Sequence, residues 1–374
     1  MKYYIIVGEP SGDLHGSNLM RGLQAEDSDA QFRFWGGDKM AEVGGVENLA
    51  KHYRETSFFG IVQVLRNLKT IFGQIDECKR DVEAYNPDVL ILIDYPSFNM
   101  RIAKWAKERG IKVYYYIAPK VWAWKEWRVK EIRKYVDRLY TIFPFETDYF
   151  RSKGIEPVFC GNPLCDSIAQ YKEKMPSREE FLREGGLDER PIVALLAGSR
   201  RSEIKDNLAD MIAISQNFPE YQFVVAAVPW IEKELYDKIL TGTNVKFVCN
   251  KTYDTLIYAE AAIVTSGTAT LETALIGTPE IVMYHIPKLY EILRPVVLKI
   301  PYISLVNINL NRECVREIVV NKIDVEGVSN ELRAILNGGT KRAKMQAEFA
   351  KLQEMMGGDG SSRRVAQDIV KSLR

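Results

Sequence analysis

The residues with the clearest chemical use lie in the segment 261–278, AAIVTSGTATLETALIGT. An apolar run gives way there to small hydroxyl-bearing residues and a glycine, and apolar residues then recur at helical spacing. The pattern predicts a strand, a tight loop and the start of a helix. A phosphate fits such a helix start, because its first backbone N–H groups are free and the helix dipole favours negative charge. An ordinary capped helix is the alternative interpretation.

Three further features near this segment suit a nucleoside diphosphate. Glu272 lies about one helical turn into the predicted helix, where its carboxylate can accept two ribose hydroxyls. Arg200 follows the apolar run PIVALLA at 191–197, and its guanidinium offers a planar fork of donors to a diphosphate. The segment 305–313, LVNINLNRE, is a polar cluster suited to recognising a nucleotide or a sugar.

A carboxylate at the end of another apolar run is the candidate general base. The segment 87–94, PDVLILID, predicts a buried strand that ends in Asp94. An acid at the carboxyl end of a central parallel strand faces the crevice where ligands bind. Asp94 can therefore accept a proton from a reacting hydroxyl. The alternative is a carboxylate that caps the turn at Pro96 and Ser97.

Two more loops follow predicted strands in the same half of the chain. The strand at 3–7 leads into GEPSGD at 8–13, predicted as a turn before a helix that begins near Leu14. The strand at 113–117 leads into APKVWAW at 118–124, where Trp122 and Trp124 either form an apolar wall of a pocket or pack in the core.

The elements that position these residues alternate between short strands and helices, which predicts an α/β protein with parallel sheets. A charged segment without strand pattern follows residue 166, and the alternation restarts near residue 191. We expect a first Rossmann-like domain at 1–166 and a second at 167–356, facing each other across a cleft. A last helix at 357–374 is expected to cross back onto the first domain or onto a neighbouring subunit.

Composition excludes several classes of protein. The chain has 51 basic and 50 acidic residues, so no bulk attraction to nucleic acid is expected. Its five scattered cysteines lack a CxxC pair and fit reduced thiols in the cytoplasm better than disulfides or zinc ligands. No metal and no cofactor is predicted. The N-terminus runs directly into a strand, unlike a signal peptide, and no apolar run reaches the roughly 18 residues of a membrane span.

The segment 57–75, SFFGIVQVLRNLKTIFGQI, is apolar on more than one helical face and carries Arg66 and Lys69. Such a helix can lie in a membrane interface or shelter an acyl chain. A buried helix is the alternative. A second apolar and basic stretch, which includes Lys288 and Lys299, occupies 288–304.

Seven motifs in order and register strongly resemble the lipid-A-disaccharide synthase family of bacterial glycosyltransferases. They are GEPSGD at 8–13, IDYPSFN at 93–99, APKVWAW at 118–124, FPFE at 143–146, GNPL at 161–164, LLAGSRRSEI at 195–204 and TSGTATLE at 265–272. The resemblance covers nearly the whole chain and implies the GT-B fold of two Rossmann-like domains. Where the family often has a second acid, a histidine and a proline, this chain has Ser97, Asn162 and Ala197.

The resemblance implies an inverting transfer of 2,3-diacylglucosamine from its UDP derivative to 2,3-diacylglucosamine 1-phosphate, known as lipid X. The products are the β-1,6-linked lipid A disaccharide 1-phosphate and UDP. The resemblance also implies a catalytic role for Asp94. The residues assigned to the UDP-sugar donor are Ser199, Arg200, Ser266, Gly267, Thr268, Ala269, Thr270, Glu272, Asn307 and Glu313. The residues assigned to the acceptor or the cleft are Ser11, Gly12, Asp13, Asn99 and Trp122.

Lipid substrates also imply peripheral association with the inner face of the inner membrane, with Phe59, Val62, Leu65 and Leu68 as membrane or acyl contacts. In this assignment the first domain binds the acceptor lipid and the second binds the donor. The family likeness allows a homodimer and indicates no nucleic acid partner. Two alternatives stay open: an enzyme like UDP-N-acetylglucosamine 2-epimerase, which uses the same fold, and a non-catalytic protein that binds a nucleotide sugar or a lipid.

Overall fold

The structure, a computed structural model, describes residues 1–56, 68–122, 125–286 and 301–374. The chain forms two compact units. The first unit contains Met1–Asp166 and Met356–Arg374, and the second contains Ser167–Met355. The chain therefore leaves the first unit once and returns to it once.

The first unit alternates strands and helices along the chain. Its strands are β1 (Lys2–Ile6), β2 (Gln31–Gly36), β3 (Leu49–His52), β4 (Val89–Ile93), β5 (Lys112–Tyr116), β6 (Arg138–Thr141) and β7 (Val158–Phe159). Its described helices are α1 (Pro10–Glu26), α2 (Asp38–Gly44), α3 (Tyr53–Thr56), α4 (Leu68–Tyr85), α5 (Pro96–Glu108), α6 (Arg128–Tyr135) and α7 (Pro144–Ser152), with a 3-10 turn at Val46–Asn48. Helix α8 (Pro163–Lys172) carries the chain into the second unit.

The first sheet is parallel throughout, with the strand order β3-β2-β1-β4-β5-β6-β7. The chain adds β2 and β3 on one side of β1 and then places β4 on the other, so the order reverses between β1 and β4. Every residue of β4 is buried. A parallel strand covered on both faces is apolar throughout, which is why this strand was recognisable in the sequence.

The second unit repeats this plan. Its strands are β8 (Ile192–Leu196), β9 (Gln222–Ala227), β10 (Lys246–Cys249), β11 (Ala259–Thr265), β12 (Glu280–His285) and β13 (Arg316–Val320). Its described helices are α9 (Arg178–Gly185), α10 (Arg201–Ser215), α11 (Lys233–Leu240), α12 (Thr252–Tyr258), α13 (Thr268–Ile276), α14 (Leu305–Leu310), α15 (Val325–Ile335) and α16 (Arg342–Met355). The parallel sheet has the order β10-β9-β8-β11-β12-β13, which reverses between β8 and β11.

The last helix, α17 (Ser361–Leu373), belongs to the first unit and packs against α1. Its apolar residues Val365, Ile369 and Val370 are buried in the same core as β1. Arg138 of β6 forms a bidentate ion pair with Asp368 of this helix, with both N–O distances at 2.6 Å. The helix thus completes the core of the first unit.

One local prediction is wrong. The segment 8–13 is not a turn that precedes the first helix, because α1 begins at Pro10 and not near Leu14. Proline suits the first position of a helix, since the N–H that it lacks would have no partner there. The first turn of α1 therefore contains Ser11, Gly12 and Asp13 of the GEPSGD motif.

Candidate functional site

In each unit, several of the predicted site residues follow the two strands at which the strand order reverses. Asp94 directly follows β4, and the 8–13 segment follows β1. In the second unit, Arg200 lies in the loop after β8 and Ser266 lies directly after β11. Open α/β sheets bind ligands at this edge, where two loops turn away from each other and leave a crevice.

The Asp94 backbone has an unusual conformation. Asp94 and Tyr95 have φ angles of 45° and 49°, which non-glycine residues rarely adopt. The Asp94 N–H donates to the Tyr116 carbonyl at 3.2 Å, and its own carbonyl accepts from Asn99 Nδ2 at 2.8 Å and from the Tyr115 hydroxyl. These contacts hold the turn, and such strained turns are concentrated at functional sites.

The environment of the Asp94 carboxyl suits a general base. Burial raises the pKa of Asp94 to about 6, the charge of Glu9 adds to the increase, and Lys120 opposes it. A carboxylate with a pKa near the working pH is well matched to proton transfer. The N-cap residue of α5 is Tyr95, whose side chain makes no capping hydrogen bond. A backbone hydrogen bond from Tyr95 to the Asp94 carboxyl lowers the pKa of Asp94 in part, so the capping alternative stays open beside the role of a base.

Two of the predicted acceptor residues form hydrogen bonds within the protein. Asp13 is buried, and its carboxylate accepts from the backbone N–H groups of Gly37, Lys39 and Met40 at 2.7, 3.0 and 3.1 Å. It therefore holds the start of α2. Asn99 is fully buried and bonded to the Asp94 carbonyl, so it positions the candidate base. Their direct contact with an acceptor stays a prediction.

The neighbouring residues of the 8–13 segment differ in exposure. Ser11 is exposed, and its hydroxyl donates to Glu9 Oε1 at 2.7 Å. Gly12 is buried, and an added Cβ there would lie 3.0 Å from the Val7 Cβ. Ser11 is thus the one of these predicted residues whose side chain faces solvent.

Trp122 has a partner that sequence reasoning missed. Its indole N–H donates to Glu146 Oε1 at 3.0 Å, and Glu146 is fully buried. Burial raises the pKa of Glu146 to about 7. Glu146 belongs to the FPFE motif, which was recognised as a motif without a role for its acid. Trp124 lies outside the described residues.

The loop after β8 is held by Glu203 of α10. Glu203 Oε2 accepts from the backbone N–H groups of Ser199 and Arg200 at 3.0 and 3.3 Å, and its Oε1 accepts from Arg200 Nη1 at 2.6 Å. The Arg200 side chain is 76% exposed. The guanidinium is therefore oriented at the start of α10 and still open to a ligand.

A second missed residue contacts this loop. The Trp230 indole N–H donates to the Ser199 carbonyl at 3.0 Å, while 63% of the residue is exposed. Trp230 follows the end of β9 by three residues, the same placement at a strand end that marked the other candidates. Sequence position could therefore have identified it.

The start of α13 is open. Gly267 is its N-cap residue, and no side-chain hydrogen bond caps the helix. An added Cβ at Gly267 would meet no atom of the described structure within 4 Å. Ser266 Oγ donates to the Ile303 carbonyl at 3.2 Å, and Thr270 Oγ1 donates to the Gly267 carbonyl at 2.9 Å. Thr268, next to Ala269, is exposed.

Glu272 lies one turn further along α13. Its Oε1 accepts a hydrogen bond from the Tyr253 hydroxyl at 2.8 Å, and burial raises the pKa of Glu272. Tyr253 is the second residue of α12. It was not identified from the sequence. The tyrosine fixes the orientation of the carboxylate beside the open helix start.

The segment 305–313 has a structural task. Asn307 is fully buried, and its amide bonds to backbone groups of Cys314 and Val315 and to the Glu317 carboxylate. These four bonds use the full capacity of the amide. Glu313 is exposed and pairs with Arg316 at 3.1 Å. For both residues, contact with UDP stays a prediction.

The predicted membrane contacts Phe59, Val62 and Leu65 lie outside the described residues, as does the side chain of Leu68. Among the helices that the structure describes, none is long and apolar enough to cross a membrane. Within the same described ranges, no group of three His, Cys, Asp or Glu side chains is arranged to hold a metal ion.

Solved structures with this architecture include a UDP-GlcNAc 2-epimerase from Neisseria meningitidis bound to UDP-GlcNAc. It has a TM-score of 0.66 and 11% sequence identity, and the match covers 100% of this chain and 99% of that one. A co-structure of S. aureus MnaA with UDP has a TM-score of 0.67 at 13% identity, covering 100% and 96% of the two chains. At such identity the likeness establishes the fold, which is GT-B.

Sequence comparison is more specific. The family model described as Lipid-A-disaccharide synthetase matches residues 3–370. The lipid-A-disaccharide synthase of Geobacter metallireducens is 35% identical, covering 99% of this chain and 96% of that protein. The enzyme of the same name from Syntrophus aciditrophicus is 34% identical, covering 97% and 95%. The chain therefore belongs to the lipid-A-disaccharide synthetase family.

Proposed function

We propose that this chain transfers 2,3-diacylglucosamine from UDP-2,3-diacylglucosamine to the 6-hydroxyl of 2,3-diacylglucosamine 1-phosphate, with inversion at the anomeric carbon. The products are the β-1,6-linked disaccharide 1-phosphate and UDP. The proposal rests on the residues that follow the strands at which the strand order of each sheet reverses. In the first unit, a carboxyl with a raised pKa follows these strands. In the second unit, an exposed arginine and an uncapped helix start follow two neighbouring strands.

Asp94 acts as the base in this proposal. As the 6-hydroxyl oxygen forms its bond to the anomeric carbon, the Asp94 carboxylate accepts the hydroxyl proton, and the bond from that carbon to the UDP oxygen breaks. The electron pair of the broken bond leaves with UDP. Asn99 and Tyr115 serve as positioning residues, because they bind the Asp94 carbonyl and hold its unusual backbone conformation.

The second unit binds the donor in this proposal. The free N–H groups at the start of α13 and the Arg200 guanidinium bind the diphosphate and stabilise the charge that develops on it as it departs. Glu272, oriented by Tyr253, accepts the ribose hydroxyls. The first unit binds the acceptor lipid and makes the membrane contact in this proposal.

We also propose peripheral association with the inner face of the inner membrane. Support comes from the apolar segment 57–75 and from Arg66, Lys69, Lys288 and Lys299, whose charges favour anionic lipid. The lipid substrates of the proposed reaction also support an enzyme that works at a membrane surface. A homodimer is compatible with the family likeness.

The experiment that tests the proposal measures UDP release from UDP-diacylglucosamine, with and without diacylglucosamine 1-phosphate, and resolves the lipid product by mass. A parallel reaction contains EDTA. UDP release that depends on the acceptor, together with a disaccharide phosphate product, is the expected result. UDP-GlcNAc epimerisation, or tight UDP binding without any product, would instead favour one of the two alternative functions.

A further inference from the structure

Gly8, two residues after the end of β1, lies against the ring of Tyr95. Gly8 is buried, and a Cβ added there would lie 2.4 Å from Tyr95 Cγ and 2.6 Å from both Cδ atoms. Atoms that are not bonded do not approach so closely, so any side chain at this position would have to displace the ring. Glycine is needed here for a close approach of the backbone, which is one of its regular uses. The contact joins the 8–13 segment to the turn that contains Asp94.

Two further aromatic residues hold the Tyr95 ring. It stacks on Phe98 with ring centroids 5.3 Å apart and an interplanar angle of 20°, and Phe98 in turn contacts Trp35 at a centroid distance of 5.5 Å. Phe98 and Trp35 are buried in the core of the first unit. Because protein interiors are closely packed, the Tyr95 ring cannot move without disturbing these neighbours. The ring therefore fixes the position of the Tyr95 backbone.

The Tyr95 backbone bears directly on Asp94. Both residues have positive φ angles, a conformation that persists only where the surrounding contacts impose it. A backbone hydrogen bond from Tyr95 to the Asp94 carboxyl lowers the pKa of Asp94 in part. A displacement of the ring would thus change both the turn and the hydrogen bond to the carboxyl.

The second unit differs at the equivalent strand end. Strand β11 has the place in the second sheet that β4 has in the first, and it is followed by Ser266 and Gly267. A Cβ added at Gly267 would meet no atom of the described structure within 4 Å. Where the strand order reverses, the first unit therefore has an aromatic ring that contacts the loops after β1 and β4, and the second has an open glycine.

We infer that Tyr95 is a positioning residue for Asp94, and that its ring, held by Gly8 and Phe98, orients the carboxyl for proton transfer. The inference rests on the proposed function, because the role of Asp94 as the base belongs to that proposal. Tyr95 acts through its neighbour and not on the substrate. Gly8 in turn acts only by leaving room for the ring, so a change at Gly8 should have little effect once the ring is gone.

The test is a double-mutant cycle in the full chain with Gly8→Ala, Tyr95→Ala and the two changes combined. Each single variant should lower kcat by about tenfold and move the acidic limb of kcat/KM by about half a pH unit or more, whereas Gly8→Ala should cost less than about twofold in the Tyr95→Ala background. The affinity for UDP should stay within about twofold, since the second unit is proposed to bind it.

Two controls separate positioning from packing. Tyr95→Phe keeps the ring and should leave the acidic limb at its wild-type pH. Tyr135→Ala removes another half-buried ring that packs against the same core, and should leave the limb unchanged even where it lowers stability. Additive effects of Gly8→Ala and Tyr95→Ala, or losses of activity that are equal at every pH, would overturn the inference.

A titration of Asp94 gives a readout without turnover. The protein is labelled with aspartate that carries ¹³C at Cγ, and the Asp94 signal is identified by its absence in Asp94→Asn. Its titration midpoint should move in both single variants, and Gly8→Ala should add no further shift to Tyr95→Ala. A midpoint unchanged in both single variants would overturn the inference. Failure of sugar transfer in the wild type, with this coupling intact, would refute the proposed reaction and keep the positioning role.

Discussion

The Trp122 indole N–H lies 3.0 Å from Oε1 of Glu146, and the carboxyl that accepts this bond is fully buried. The Glu146 Oε2 atom accepts from the Ile142 N–H at 3.3 Å. Burial nevertheless raises the pKa of Glu146 from 4.5 to about 7, because its neutral donors do not replace the lost hydration of a carboxylate. The protonated form of Glu146 is therefore favoured by folding.

This carboxyl makes stability depend on pH. Its stabilising contribution is complete below pH 4.5 and is lost as pH rises through about 7, since the unfolded chain ionises first. In the Glu146→Gln variant the side chain does not titrate, so its contribution to stability does not change with pH. The free energy of unfolding of the wild type should therefore fall relative to the variant by up to about 3 kcal/mol between these pH values. Urea unfolding at several pH values measures it. Glu108→Gln, an exposed change on α5, is the control, and a difference that rose with pH would contradict the prediction.

Asp94→Asn should lower kcat by about 10²- to 10⁴-fold, because the amide cannot accept the hydroxyl proton. UDP affinity should stay within twofold. In the wild type, kcat/KM should rise with pH through about 6, since burial raises the pKa of Asp94 to that value and only the carboxylate is active. The residual activity of the variant should lack this acidic limb. Near-native turnover with an unaltered pH profile would show that Asp94 is not the base.

Arg201, next to Arg200 in the sequence, provides a control for a substitution of Arg200. Arg200 is 76% exposed and bonds to Glu203 within its own loop, whereas Arg201 pairs with Glu232. Arg200→Ala should lower kcat by about 10²-fold through lost stabilisation of the leaving diphosphate. Arg201→Ala should stay close to the wild type. Steady-state kinetics with saturating acceptor measures both, and the reverse ranking would assign the diphosphate to Arg201.

Glu272 is predicted to accept hydrogen bonds from the ribose hydroxyls of UDP. Glu272→Gln should weaken UDP binding by about 1–2 kcal/mol, since the amide replaces one ionised acceptor of the two hydroxyls. Binding of 2′-deoxy-UDP should change less, and calorimetry can compare the two nucleotides. Tyr253→Phe, which removes only the hydroxyl that orients the carboxylate, should have an intermediate effect. Equal losses for both nucleotides would place Glu272 away from the ribose 2′-hydroxyl.

The membrane proposal concerns residues outside the described part of the chain. Replacing Phe59, Val62, Leu65 and Leu68 together with serine should reduce sedimentation with anionic liposomes, because these side chains supply the apolar contact. Circular dichroism should show that the variant remains folded. Undiminished liposome binding would favour the buried-helix interpretation of 57–75.

Sequence alone located the strands that helices cover on both faces. The predicted strand at 87–94 contains β4, and the apolar run at 191–197 contains β8. Strands β2 and β3 carry polar residues, and all four residues of the edge strand β3 are only partly buried, so neither produced a continuous apolar run. Periodicity and apolar runs report burial, and they lose strands at the margin of a sheet.

The sequence predicted which candidate residues follow strands. It did not predict which partners their side chains contact. Asp13 was placed correctly after β1, but its carboxylate binds backbone groups 24 to 27 residues further along the chain. Glu146 was missed for a related reason. Its raised pKa arises from burial and its orientation from Trp122, and both are properties of the folded chain.

The second unit is an insertion within the first. The chain leaves at Asp166 and returns at Met356, and the two passages are adjacent, since the Asn162 N–H donates to the Met356 carbonyl at 2.8 Å. A ribosome must therefore synthesise the entire second unit before it makes α17, which completes the core around α1. The unit whose sequence begins later is therefore the first to have its whole chain available, and the core of the first unit is complete only after α17 has been made.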